Sequence, residues 1–497
     1  MSAPAAPRSV RMLVVCLMAS MLVVSFNQTV LNTALPTIVA ELGGLDRIGW
    51  ISAAFVLTTA LTMPLAGALA DVVDRRGLLL GASAIFAAGT LLGGLAWNLD
   101  ALIIARLIQG AGGGAVMVLT QTIMAASVPA RERAKYAGAF GSVWAIATTS
   151  GVLIGGWLTD GPGWRWLFWG TLPLVVVAML LSLRFIPRDA PSTQRLAPDL
   201  AGMMLLCIAT TALVTATSGS LSPEWSWMTA AIGIGAILAL VFAERRAEQP
   251  VLPGVLFRSR TFVLATVAGM LCSGVSSFVV LAYLPTFAQM VLGLSAFQAG
   301  TLLLPMIVAT VAASTLTGFA VTRTGRYILI PAVGAGVVGV GLILLGTLTA
   351  DSTPLQLALS AALLGAGIGT NVLLLTLLAQ NAIPARNIGV ATAANNFVRQ
   401  AGATMGISLI GVAIAARLST AMTDALQARA LSAPDGLSFA AIAPEDLAAL
   451  SAPYRDAIAE AYAVAIPPLF LFLAPLAFLA MIMIIALERR PLADGHD

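Results

Sequence analysis

Two arginines stand inside long apolar stretches of this chain, Arg106 in ARLIQGAGGGA and Arg399 in NNFVRQAG. A guanidinium within hydrocarbon costs about 3 kcal/mol or more, so it normally faces a water-filled cavity or a polar partner. Gln109 follows Arg106 by three residues and Asn395 precedes Arg399 by four, so each pair shares a helix face. Asn27 and Asn32 lie in FNQTVLNTALP, and Asn371 comes just after GAGIG. These seven side chains are the candidates for contacting a solute or coupling its movement to a driving force. A further polar set sits in two similar loops. GALADVVDRRG, from Gly67 to Gly77, holds Asp71, Arg75 and Arg76; GFAVTRTGRY, from Gly318 to Tyr327, holds Arg323 and Arg326. A carboxylate facing arginines at a helix end is a small bistable element, made in one state and broken in another.

Other chemistries lack their residues. The single lysine, Lys135, has no G-x-x-x-x-G-K-[ST] around it, which removes a standard ATP-binding loop. The single histidine, His496, leaves haem, zinc and histidine-relay chemistry without ligands, so no metal site is assigned. Cys16, Cys207 and Cys272 are scattered singly in apolar stretches and read as buried thiols. A membrane enzyme would need a paired DxD or a His cluster near a lipid headgroup; neither is present, and no catalytic residue is assigned.

The elements that must position these residues are membrane helices. The chain has 497 residues, 59% apolar and 10% charged, with mean hydropathy +0.96. A soluble domain carries roughly 25% charge. Since a span needs about 20 apolar residues, fourteen candidates emerge, near 12–36, 49–69, 78–97, 101–127, 137–159, 166–186, 200–219, 226–243, 261–284, 297–317, 327–349, 355–380, 389–415 and 463–486. The first is too long for a signal peptide and lacks a cleavage pattern. With the N-terminus in the cytoplasm, 19 of the 26 basic residues fall on the inner side and five on the outer. The positive-inside rule therefore places both termini in the cytoplasm. The net charge of +4 then reflects loops facing an anionic leaflet and calls for no nucleic acid. The largest outer segment, about 416–462, reads as a solvated amphipathic cap.

The two similar loops are eight spans apart. If each half repeats six helices, six plus two inserted plus six gives fourteen, and parallel six-helix halves around a midplane site are a transporter architecture. The expected fold is an all-α polytopic membrane protein with 14 transmembrane helices, two pseudo-symmetric six-helix bundles plus two inserted helices. The boundaries are 1–186 for the first bundle, 187–260 for the inserted pair and its linkers, and 261–497 for the C-terminal bundle with its outer loop.

These motifs resemble those of the major facilitator superfamily. The loop from Gly67 is similar to the signature Gly-x-Leu-Ala-Asp-Arg-x-Gly-Arg-Lys, and the loop from Gly318 resembles a weaker copy of it. ARLIQGAGGGA is similar to the Arg-x-x-Gln-Gly signature of the fourth helix. SGVLIGGWL, with Gly151, Gly155 and Gly156, is similar to the antiporter signature Gly-Pro-x-x-Gly-Gly. FNQTVLNTALP resembles the first-helix signature of the fourteen-helix drug:proton antiporters, and WRWLFW (164–169), PDLAG, GLSAFQAG and NNFVRQAG add to the match. The resemblance implies drug efflux driven by a proton gradient. It also implies a latch between Asp71 and an arginine that holds the outward-open state.

Three departures stand out. Asp74 replaces the usual loop glycine, so a tight turn there falls to a residue less suited to left-handed backbone. Val152 replaces the proline of the fifth-helix signature, so no kink follows, although Gly151 and Gly155 still form a small-x-x-x-small packing pair. Asn27 stands where the family pattern has Asp, and Asn cannot titrate. At 1.5 Å per residue its depth matches that of Arg106. No Asp or Glu lies inside any of the fourteen spans. Three readings stay open: a coupling acid at a cavity mouth (Glu41, Asp46 or Asp71), a weakly coupled facilitator, or an introduced Asp-to-Asn change that locks one state.

The functional expectation is a secondary transporter exporting amphipathic or hydrophobic small molecules, with neutral or anionic amphiphiles preferred because the cavity offers Arg106 and Arg399 but no acid. It is expected to be a multi-pass protein of the cell membrane, monomeric, with the bilayer and a small amphiphile as partners, without nucleic acid and without a cofactor beyond the proton gradient. The alternatives are a facilitator, a non-transporting receptor on the same fold, or an importer.

Overall fold

The computed structural model describes residues 7–31, 34–42, 48–128, scattered positions from 136 to 159, and residues 161–188, 199–217, 223–244, 246–247, 253–294, 296–324, 327–384, 387–431 and 451–487. Among these there are helices and turns and no strand. The chain begins with α1 (Pro7–Val30), a short helix Leu35–Leu42, α2 (Ile48–Ala70), α3 (Arg75–Gly94) and α4 (Leu99–Ser127). Next come α5 (Thr171–Phe185), α6 (Leu200–Thr217) and α7 (Pro223–Glu244). Then α8 (Arg260–Gly269) passes through a π-helical segment, Met270–Ser276, into α9 (Ser277–Met290). The remainder is α10 (Leu304–Thr324), α11 (Leu329–Gly346), α12 (Pro354–Asn381), α13 (Ile388–Ala428), α14 (Ala452–Ala465) and α15 (Pro467–Ile485).

Eleven helices among the described residues are long and apolar enough to cross a membrane. Two further candidates are shorter apolar helices, Ala54–Ala70 and Met204–Leu213, while the fifth expected span falls largely outside the described residues. The helix ends are set by local chemistry. Asn98 caps α4 by accepting from the Ala101 amide at 2.7 Å, and Thr353 with Gln356 forms a capping box on α12. Asp74 caps α3 through the Gly77 amide at 3.0 Å with φ −54°. The turn at Asp74 therefore needs no left-handed residue, and the expected strain there is absent.

The expected outer segment at about 416–462 is largely helical where it is described. Helix α13 runs 41 residues, about 60 Å, well beyond a hydrocarbon core about 30 Å thick. Its far end packs Leu418, Met422 and Leu426 with Ile458 and Tyr462 of α14, so apolar burial extends the helix past its span. Arg429 pairs with Glu460 at 2.6 Å beside this contact.

The buried apolar residues fall mainly into two clusters. One is built from residues between Leu13 and Ile186, the other from residues between Leu256 and Leu487. Each contains the same three-helix contact. In α4, a Cβ on Gly110 or Gly114 would meet the carbonyls of Phe55 or Thr59 on α2, and one on Gly112 would meet Ala82 and Phe86 of α3. In α12, Gly365 and Gly369 face the carbonyls of Met306 and Thr310 on α10, and Gly367 faces Gly334 and Val338 of α11. Hydroxyls stitch both: Thr59 donates to the Gly110 carbonyl at 3.2 Å, and Thr310 and Ser314 donate to those of Gly365 and Gly369 at 3.0 and 2.8 Å. Small residues matter here because lipid supplies no hydrophobic drive to hold helices together, so close backbone approach must do it.

A Cβ on Gly365 would lie 2.1 Å from the Met306 carbonyl oxygen, whereas one on Gly81 meets nothing within 4 Å. Gly365→Val is expected to destabilise the protein by about 1–3 kcal/mol through overpacking. Gly81→Ala is expected to be neutral or stabilising through helix propensity. Thermal unfolding of the detergent-solubilised variants checks both.

Candidate functional site

The first polar group is centred on Arg106. Helix α4 places Arg106 and Gln109 on one face, and α1 brings Asn27 to them. Arg106 Nη1 donates to Asn27 Oδ1 at 2.7 Å and to Gln109 Oε1 at 2.6 Å, while Nε reaches the Ile51 carbonyl at 3.4 Å. Its guanidinium lies 4.2 Å from the centre of the Phe55 ring, a cation–π contact. Gln109 Nε2 donates to Thr90 Oγ1 at 2.8 Å, and Thr90 donates to the Phe86 carbonyl. Gly89 permits this, because a Cβ there would sit 2.4 Å from the Gln109 amide nitrogen. Arg106, Asn27 and Gln109 are all at most 2% exposed. Every acceptor in the network is neutral.

The other polar group is a seam where α2 and α4 meet α13, near the face that carries Asp71, Arg75 and Arg76. Asp71 Oδ1 accepts from the Gly389 amide at 2.9 Å and Oδ2 from the Val390 amide at 3.0 Å. These first-turn amides have no acceptor within their own helix and lie at its positive end, so a carboxylate is their natural partner. Gly67 lets the chains touch: a Cβ there would be 2.3 Å from that of Ala393. Met63, Val118 and Ala393 bury one another beside it, and Asn396 Nδ2 donates to Gln121 Oε1 of α4 at 2.9 Å. The resemblance implies an arginine as the partner of Asp71. The hydrogen bonds to Asp71 come from those two backbone amides, with the Arg75 charge acting on it as well; Arg75 Nε donates to the Ala70 carbonyl at 3.0 Å, and Arg76 donates to the Leu183 carbonyl. Burial pushes the Asp71 carboxyl up to about 6, against the lowering effect of the two amides and the Arg75 charge.

At the opposite face, Glu41 accepts from Trp164 Nε1 at 2.7 Å and Arg165 Nη1 at 2.5 Å, and Arg165 also donates to the Ala96 carbonyl. The bonds from Arg165 and then Trp164 hold Glu41 below the usual carboxylate range. Such a group stays ionised at neutral pH and ties the short helix Leu35–Leu42 to the turn at Trp164 and Arg165. Asp46 lies outside the described residues.

In the C-terminal cluster Asn395 ties three helices. It accepts from Thr376 of α12 at 3.2 Å and donates to Thr266 of α8 at 3.1 Å. Asn371 is fully buried; its Nδ2 donates to the Gly367 carbonyl and its Oδ1 has no hydrogen-bond partner. Arg399 bonds Asn396, not Asn395, through Nη2 at 2.9 Å. The residue as a whole is half-buried, and its Nε is buried without a hydrogen-bond partner. Tyr283 donates to the Ile407 carbonyl of α13 at 2.8 Å.

Six of the seven candidates lie among the described residues, and they divide between separate networks. Asn32, Gly156 and Arg326 lie outside the described residues, and Arg323 is exposed at the end of α10. Gly151 packs on α1, where a Cβ would be 2.2 Å from Thr29 Oγ1, and Gly155 is buried. Gln121 and Thr90 do not stand out in the sequence. The signal available is a lone amide or hydroxyl in an apolar run, which is common in membrane helices.

A family model described as the Major Facilitator Superfamily matches residues 17–407. The chain belongs to the major facilitator superfamily. It is a multi-pass membrane transporter, and such transporters are not enzymes. An uncharacterized transporter of this superfamily from Mycobacterium tuberculosis is 34% identical over 491 residues, covering 97% of this chain and 70% of that protein. The multidrug transporter protein MdtP of Bacillus subtilis is 32% identical, covering 84% of this chain and 77% of its own length. Among solved structures, the human organic anion transporter MFSD10 superposes with a TM-score of 0.63 at 15% identity, covering 97% of this chain and all of that one. The proton:xylose symporter XylE gives 0.59 at 15% identity, covering 96% and 95%. At that identity the last two speak for the fold alone.

Two outcomes follow from the geometry. Arg106→Met strips the donor from two buried amide oxygens, and each orphaned acceptor costs about 1–3 kcal/mol; a lower thermal-unfolding midpoint is the expected result. For Asp71, the seam-bound carboxyl is raised from 3.8 to about 6. The closed seam therefore holds the proton more tightly than an open, hydrated one, and between those pH values it binds more protons. Acidification through that window favours the closed seam, and the benefit is lost as pH rises through about 6. Hydrogen exchange at Gly389 and Val390, corrected for intrinsic rate, should be slower at low pH, with the pH dependence absent in Asp71→Asn.

Proposed function

We propose that this chain exports amphipathic or hydrophobic small molecules by alternating access between two six-helix halves. The halves are residues 1–186 and 261–497, and α6 and α7 are the inserted pair that brings the spans to fourteen. The face bearing Asp71 is cytoplasmic, as are both termini, because the basic residues concentrate there. The working unit is a monomer in the cell membrane, and its partners are the bilayer and one small amphiphile. The observation that carries the reading is the seam. Its contacts between sequence-distant helices include Gly67–Ala393, Asp71–Gly389 and Gln121–Asn396, which are close and built from small, amide or capping residues. Such a seam can open as a unit while the glycine-packed triplets stay intact, which is the division of labour that rocking halves require. Relatives named as multidrug transporters support the substrate class.

Proton drive is the first reading of the energy source, and the buried acid available to it is Asp71. An uncoupled facilitator is the alternative, favoured by Asn27: the residue facing Arg106 is an amide with no proton to exchange. Flux of a fluorescent amphiphile in proteoliposomes, with and without an imposed pH gradient, separates them. Outward flux raised at least severalfold by the gradient is expected for the antiporter. Flux indifferent to it, becoming gradient-dependent in Asn27→Asp, would establish the facilitator; no flux in either protein would overturn the export reading.

A further inference from the structure

The two membrane-buried arginines are not equivalent. Arg106 is closed: two amide oxygens, a backbone carbonyl and an aromatic ring occupy its guanidinium, and it is 2% exposed. Arg399 is open. Its Nη2 bonds Asn396, one helical turn back on α13, and its Nε–H is buried with nothing to receive it. Among the described residues no ion pair involves it. The residue as a whole is half-buried, unlike Arg106.

The element facing Arg399 is irregular. The Arg399 carbonyl presses on Gly274, where a Cβ would lie 2.7 Å away, and Gly402 presses on Met270 in the same way. Both contacts fall in the π-helical segment Met270–Ser276. The Ser276 hydroxyl donates five residues back, to the Leu271 carbonyl at 2.8 Å, as the widened turn requires. Such π segments occur mostly where a helix has been locally reshaped at a functional site. Ser273, beside Gly274, adds a buried hydroxyl with no partner. Two unsatisfied donors thus lie on the packed pair formed by this segment and α13, and neither is bonded to a carboxylate.

We propose that Arg399 is the polar anchor for the substrate, and that it selects an amphiphile with an anionic headgroup, a carboxylate or a phosphate, on an apolar tail. This rests on the export reading and names its substrate class. A carboxylate or phosphate fits the planar fork of a guanidinium and forms charge-assisted bonds about twice as strong as neutral ones. A cationic amphiphile meets the same group as a like charge in a low-dielectric site. Asn396 links the anchor to the seam, because the amide that accepts from Arg399 also donates to Gln121 across it. Headgroup binding and seam closure therefore act on one side chain.

The test is a fluorescence titration of the full-length protein in maltoside micelles with three probes sharing a dansylated undecyl tail: the carboxylic acid, its neutral amide and its trimethylammonium analogue. The acid should bind about tenfold tighter than the amide, and the ammonium compound more weakly than either. In Arg399→Gln the advantage of acid over amide should vanish. Arg399→Lys keeps the charge without the fork, and should retain part of it; this variant and the wild-type comparison stand if Arg399→Gln fails to fold. Equal wild-type affinities for acid and amide, or a preference that survives Arg399→Gln, would overturn the assignment. Competition by phosphatidylglycerol that depends on Arg399 would assign the anion to bilayer lipid; competition by free fatty acid alone would assign it to a soluble carboxylate. Proteoliposome flux of the amide by the wild-type protein tests export separately: Arg399-dependent binding of the acid without movement of any probe would sink the export reading and leave the anchor standing.

Discussion

Hydrocarbon cannot hydrogen-bond, so a polar group carried into it must find its partner within the protein. That constraint organises this molecule more than any single contact. The usual way to seat a buried guanidinium is a carboxylate, whose attraction in a low dielectric offsets desolvation of both charges. Here Arg106 is seated by amides, a carbonyl and a ring instead. A neutral cradle leaves one net charge in the bundle. It also removes any step at which that charge is cancelled by ionising a neighbour.

The same constraint explains where the molecule is rigid and where it can part. Glycine-lined contacts of α4 with α2 and α3, and of α12 with α10 and α11, press backbone on backbone and are held by hydroxyl-to-carbonyl bonds. Opening them would forfeit this close packing and the added hydroxyl bonds. The seam between α2 and α13 is different in kind. Its bonds to Asp71 lie at helix ends, where water can take over the Gly389 and Val390 amides and the carboxylate when they part. Under the proposed rocking of the halves, this helix-end part of the seam is the cheaper place to open.

Much of this is legible in the sequence, for identifiable reasons. Apolar length places the helices, and two loops eight spans apart point to a repeat. Equal depth anticipates the meeting of Asn27 with Arg106, since depth along a helix converts directly from residue count. What escapes are partners that depend on helix rotation and on ends. The resemblance points Asp71 to an arginine, whose charge does act on it, but a free helix N-terminus as a further partner is not visible in a sequence. It hides the continuation of α13 to Ala428 because the far half of that helix is amphipathic and packs on α14 beyond the span. Spacing of four joins Arg399 to Asn395; the spacing of three to Asn396 is equally compatible with a helix, and the side chain takes it because Asn395 is held by Thr376 and Thr266.

That exchange of partners has a wider consequence. Had Asn395 taken the guanidinium, Arg399 would be a packing feature confined to α13. Because Asn395 is committed to α8 and α12, Arg399 turns to Asn396, which also reaches across to α4 through Gln121. One amide therefore joins a half-satisfied charge to the kind of contact best suited to breaking. Arg399, Asn396 and Gln121 thus form one hydrogen-bonded chain from α13 to α4, with no carboxylate in it. With Arg399 as the proposed anchor, this chain of neutral groups would let ligand charge bias the seam alongside the titration of Asp71 at its end.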